Sequence, residues 1–264
     1  MGWRRTVWRR YVAIGDSSTE GVGDPDGSGG YRGWADRLAG HIATTQAGAA
    51  TFEYANLAVR GRTTAQIRAE QLPLALAMAP DLVTVVAGMN DLMMPSFDAA
   101  AVAADVESML RAFAETGATV LTITLPDLTP NLPLTRIMRP RLHAFNEELR
   151  AAGERVGVVM VDLGRYEDAA NRRLWSDDRL HGNAVGHALV AYALAHGLGL
   201  PGFDDSWRGA VAPPEEPAGL AALRAELRWA QLHALPWLWR YMRGRTAGDG
   251  LSPKRPEPQP MEAV

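Results

Sequence analysis

The sequence of 264 residues contains no cysteine. That absence removes disulfide cross-links, thiolate nucleophiles and cysteine-ligated zinc, and it fits a reducing compartment. No apolar run approaches the roughly 18 residues a membrane-spanning helix needs. There is no basic excess either: 27 Lys and Arg stand against 30 Asp and Glu, a formal net charge of −3, so a nucleic-acid partner is not expected. The Walker lysine pattern is missing, and Gly21-Val22-Gly23 has Asp26 where a dinucleotide-binding loop needs its third glycine. The six histidines form no His-Glu-x-x-His arrangement. These gaps leave a chain expected to work without a nucleotide cofactor and without a metal.

What is present suits one large α/β domain: 47% of residues are apolar and 22% charged. Short apolar runs at residues 12–14, 52–56, 82–87, 119–125 and 156–162 read as strands. Between or after them, residues 33–42, 63–72, 98–116, 135–155 and 183–198 carry helical patterns. The alternation predicts βαβ units, hence a five-stranded parallel sheet in a flavodoxin-like, three-layer α/β/α fold. In such sheets ligands bind beyond the carboxyl ends of the strands, where Ser17, Gly61 and Asn90 fall.

The main domain is expected to span residues 1–203, with residues 204–264 as a C-terminal extension. Within the extension, Ala212-Pro213-Pro214-Glu215-Glu216-Pro217 reads as a linker, residues 218–243 as helical, and the proline-rich stretch 252–260 as disordered. Leu220, Leu223, Leu227, Ala230, Ala234, Leu238 and Tyr241 recur at helical spacing, with Pro236 expected to kink the helix. At the other end, Trp3-Arg4-Arg5 and Trp8-Arg9-Arg10 suggest the charged start of an export signal. The apolar run 11–14 that follows is too short for one, and it leads straight into the turn at Ser17, so a cytoplasmic location is expected.

The chemistry concentrates in four places. Tyr11-Val12-Ala13-Ile14-Gly15-Asp16-Ser17 is an apolar strand that stops at a glycine and presents a serine in the following turn, where a nucleophile is accessible. The α/β-hydrolase elbow Gly-x-Ser-x-Gly is not the pattern here, since Gly15 and Thr19 flank Ser17. Gly61 follows the second strand, Gly88-Met89-Asn90-Asp91 the third, and Asp178-Arg179-Leu180-His181 lies near the end of the core. In this order the four blocks resemble the SGNH (GDSL-type) hydrolase family, over residues 11–200, with Ser18 where the family's name has leucine.

The resemblance implies cofactor-free hydrolysis of small-molecule or lipid esters through an acyl-enzyme on Ser17, with His181 as general base and Asp178 as the acid that orients it. Asp177 competes with Asp178 for that role, and only the family spacing favours the latter. The backbone N–H groups of Ser17 and Gly61 and the side-chain amide of Asn90 would meet the oxyanion. The substrate range of such enzymes runs from short acyl and acetylated-sugar esters to lysophospholipids and thioesters. Arg60 and Arg62 read either as solvated loop charges or as partners for an anionic substrate group. The C-terminal helical stripe has two readings: docking on the core or on another subunit, and lying on anionic lipid through its tryptophans and arginines. The rival to the whole enzymatic reading is an idle binding module of the same fold.

Overall fold

A computed structural model describes residues 7–48, 51–129, 133–214, 219–243 and 245–263. Arg4 and Arg5 of the N-terminal cluster and part of the expected linker lie outside them, as do the side chains of Trp237, Leu238 and Tyr241. The strands are β1 (Arg10–Gly15), β2 (Glu53–Asn56), β3 (Leu82–Val86), β4 (Thr119–Ile123), β5 (Val159–Val161) and β6 (Arg255–Pro260). The α-helices in chain order are α1 (Ser17–Glu20), α2 (Gly33–Thr45), α3 (Thr64–Gln66), α4 (Leu72–Ala77), α5 (Met89–Leu92), α6 (Ala99–Ala114), α7 (Arg139–Val156), α8 (Ala184–Gly197), α9 (Leu220–Trp229) and α10 (Leu235–Met242).

The strand order is β5-β4-β3-β1-β2-β6, with the first five parallel. From β1 the chain moves to one side to form β2 and then crosses to the other to form β3, so the order reverses at β1. Crevices open beyond the carboxyl ends of strands at such a reversal. Parallel strands are buried on both faces, which is why they are apolar runs and not alternating ones. In β1, Tyr11 and Ala13 enter one core with Trp34, Leu38 and Ile42 of α2 and Leu194 of α8, while Val12 and Ile14 enter the other with Met109 and Phe113 of α6 and Phe145 of α7. Emptying Phe113 or Phe145 to alanine costs about 3–5 kcal/mol.

Among the described residues the sheet has six strands, not five. The stretch 252–260, expected to be disordered, forms β6 and pairs antiparallel with β2. Its three prolines lack N–H groups and therefore suit an edge strand that nothing else joins. The strand is fastened from outside the ladder: Lys254, the chain's one lysine, donates to the carbonyls of Tyr31 and Arg32 at 2.9 and 2.8 Å and to Asp36 at 2.9 Å. The Arg255 guanidinium also stacks over Tyr54.

Two wide π turns depart from the expected helices. One, Ile67–Gln71, leads into α4 at Leu72-Pro73; the other, Ala230–Ala234, leads into α10 at Leu235-Pro236. Proline removes an N–H and crowds the carbonyl four residues back, and a wide turn just before it relieves both. The helix therefore continues past Pro236. No helix among the described residues is long and apolar enough to cross a membrane.

Candidate active site

β1 ends at Gly15 because nothing larger fits: a Cβ there would lie 2.7 Å from the Val86 carbonyl oxygen and closer still to the Thr19 side chain. Both Gly15 backbone groups are held by one side chain, Gln71, which accepts from its N–H at 2.8 Å and donates to its carbonyl at 2.9 Å. The π turn of residues 67–71 presents that amide. Asp16 then caps α1, accepting from the Ser18 N–H at 3.1 Å, and Ser17 becomes the first residue of the helix, with an N–H that has no partner inside it.

The His181 Nε2 accepts from the Ser17 hydroxyl at 2.8 Å, and its Nδ1–H donates to Asp178 Oδ2 at 2.6 Å. Asp178, and not Asp177, meets the imidazole. The other carboxylate oxygen, Oδ1, accepts from the N–H groups of Leu180 and His181, each at 3.0 Å, and from the Ser176 hydroxyl at 2.7 Å. Burial works to raise the Asp178 carboxyl, but His181 and these donors outweigh it and hold the group well below the usual carboxylate range. Such an acid stays charged and fixes the tautomer that leaves Nε2 free to take a proton.

Asn90 and Gly61, the expected oxyanion residues, sit in a closed chain of contacts. Asn90 follows Gly88, whose φ of +109° suits glycine and whose missing side chain leaves room for the Phe145 ring. The Asn90 amide donates to Asp16 at 3.1 Å and to the Arg62 carbonyl at 3.0 Å. On the other side of Gly61, the Arg60 N–H donates to Glu20 of α1 at 2.8 Å, and the Arg60 guanidinium pairs with the same carboxylate. Gly61, at φ +77°, is thus bracketed between two residues tied to the serine turn. Among the described residues its N–H and that of Ser17 have no acceptor. Both hydrogens of the Asn90 amide are already engaged, so meeting an oxyanion requires it to share one. Burial pushes the Asp16 carboxyl up to about 6, against the Ser18 N–H that favours its charged form. Arg60 and Arg62 are occupied by Glu20 and Glu70, the latter at 2.8 Å.

A family model described as the GDSL-like lipase/acylhydrolase family matches residues 13–189. The chain belongs to that family. No curated protein matches it. Among solved structures, it is similar to the lipase/acylhydrolase from Enterococcus faecalis, with 20% identity and a TM-score of 0.60 over 78% of this chain and 99% of that one. It is also similar to Axe2, an acetylxylan esterase from Geobacillus stearothermophilus, with 19% identity and a TM-score of 0.59 over 75% and 95%. A third is an α/β hydrolase enzyme from the metagenome of Lake Arreo, Spain, with 22% identity and a TM-score of 0.56 over 73% and 95%. At these identities the likeness establishes the SGNH hydrolase fold.

Three residues of the site were invisible in the sequence, and two of them lie beyond the family match. Arg179, held at φ +64° between Asp178 and His181, is clamped by Glu226 of α9, with guanidinium to carboxylate distances of 2.7 and 2.5 Å. The same guanidinium stacks over Trp229, whose indole N–H donates to the Asp178 carbonyl at 3.3 Å. The third is Gln71. Its contact with Gly15 spans 56 positions, and the α9 contacts span 47 and 51. No local pattern signals pairs so far apart.

Proposed function

We propose that the chain is a serine esterase that hydrolyses carboxylic esters through an acyl-enzyme on Ser17. The observation that carries this is the continuous hydrogen-bonded line from Ser17 through His181 to Asp178, at 2.8 and 2.6 Å. Ser17 Oγ attacks the ester carbonyl carbon as His181 Nε2 takes its proton. The charge on the carbonyl oxygen is met by the N–H groups of Ser17 and Gly61 and by the Asn90 amide, which shares one of its present bonds. His181 then passes its proton to the leaving alcohol, and a water activated by the same imidazole releases the acid and restores the serine. Asp178 keeps its charge throughout and stabilises the imidazolium. No cofactor enters any step.

Hydrolysis of p-nitrophenyl esters from acetate to palmitate, by the full chain and by Ser17→Ala in parallel, tests the reading. Turnover that depends on the serine supports it. Equal turnover by both proteins, or none by either, returns the chain to the binding-module reading.

A further inference from the structure

The C-terminal helix has two unlike faces. Its inner face carries Glu226 and Trp229, which grip Arg179 and Asp178. Its outer face carries Leu220, Leu223, Leu227, Leu235, Trp239 and Met242, each 52–73% exposed. In a straight α-helix the last three would drift around the cylinder from the first three. The π turn at Ala230–Ala234 adds one residue, setting everything after it back by about 100°, and this returns Leu235, Trp239 and Met242 to the line of the leucines. A soluble surface rarely carries such a row uncovered.

The charge around the row is one-sided. Residues 218–245 hold five arginines and a single acid, Glu226, in a chain whose net charge is −3. That acid is neutralised by Arg179, while Arg224, Arg228, Arg243 and Arg245 are exposed and Arg243 stacks on Trp239. An exposed apolar row, a tryptophan at its edge and exposed arginines beside it match the chemistry of an anionic lipid surface, where apolar groups enter the acyl boundary and guanidinium groups meet the headgroups. A second copy of the chain fits less well, because it would bring the same arginines against each other.

We propose that this outer face docks the protein on an anionic lipid surface, so that the ester cleaved at Ser17 is a lipid ester presented from that surface. The second half rests on the esterase reading above; the docking does not. The helix lies beside the Asp178–His181 loop, so a docked molecule holds its catalytic groups at the lipid boundary.

The test is flotation of the full chain with vesicles of phosphatidylcholine alone and of phosphatidylcholine mixed with phosphatidylglycerol, repeated with L223E/L227E/L235E and with Ser17→Ala. The expected result is flotation with the anionic vesicles, weakened by salt, unchanged in Ser17→Ala and lost in the leucine variant. That variant should hydrolyse soluble p-nitrophenyl acetate as the parent does, but lose about tenfold or more on a long-chain ester held in anionic vesicles. Absence of flotation with either vesicle overturns the docking. So does a concentration-dependent doubling of mass in solution that the leucine variant abolishes, since the face then belongs to a second copy. Flotation without Ser17-dependent turnover of any ester keeps the docking and overturns the esterase reading instead.

Discussion

The two halves of the site are held in different ways. The half that carries Ser17, Gly61 and Asn90 grows out of β1, β2 and β3, and its loops are bound to one another through Gln71, Asp16 and Glu20, all buried. The half that carries Asp178 and His181 is a surface loop with Arg179 at positive φ, steadied from outside by a helix that joins the chain after the family domain. A backbone strained by about 1–3 kcal/mol persists only where its surroundings insist on it, and here α9 supplies part of that insistence. The serine turn is thus held mainly by the core of the fold, and the Asp178–His181 loop is steadied by the extension.

The largest expected effect falls on the line that joins the two halves. Ser17→Ala or His181→Ala should each lower kcat on a p-nitrophenyl ester by about 10⁴ or more, because the members of such a line act as one unit. Residual activity near the parent's would break the comparison at its root. Asn90→Ala should cost about 10²–10³ in kcat, the usual loss of one oxyanion donor, and full activity in that variant would leave the bonds to Asp16 and to the Arg62 carbonyl as the tasks of the amide.

A third effect belongs to stability. Buried His187 accepts from the Trp34 N–H at 3.1 Å and donates to the Val22 carbonyl at 3.1 Å, joining α8 to the start of α2 behind the serine turn. Burial depresses it to about 4. Unfolded histidine titrates at about 6.5, so between those values the unfolded chain binds more protons. Its contribution is complete at neutral pH and is lost as pH falls from about 6.5 to about 4, on the order of 3 kcal/mol in all. Denaturant midpoints measured across that window should fall in the parent, and the fall should be shallower in His187→Gln.

The smallest effect separates the halves most finely. Trp229→Phe or Glu226→Gln should lower kcat about tenfold through misplacement of the Asp178–His181 loop, with KM for a short ester nearly unchanged. Gln71→Leu acts on the other half, and its loss should appear in labelling of Ser17. If Trp229→Phe keeps the parent's kcat, the loop stands without the helix.

How much of this was legible depended on how local the signal was. The strands β1 to β5 are short apolar runs, and the serine, glycine and asparagine blocks follow the first three, whereas the histidine block lies well beyond β5 and joins them in the sequence only through the family resemblance. Between Asp177 and Asp178 only the family spacing favours the latter, and the turn at Ser176–His181 supplies the physical reason by aiming that carboxylate at the imidazole. β6 was hidden because three prolines in six residues argue against a ladder, and only an edge position, pinned by Lys254, lets them stay. A 3.6-residue period runs the apolar stripe of the last helix through Ala230 and Ala234, and the π turn there moves its second half onto Leu235, Trp239 and Met242. The grip of Glu226 and Trp229 was invisible for a simpler reason: nothing near residue 226 says that it will meet residue 179.

The central claim is that Ser17 is an activated nucleophile, and the most direct measurement is labelling of the intact protein by a fluorophosphonate, followed by mass spectrometry of the peptide that carries the adduct. The expected result is a single adduct on Ser17, abolished in Ser17→Ala and slowed by orders of magnitude in His181→Ala. A protein that stays unlabelled, or that labels elsewhere with Ser17 untouched, would contradict it.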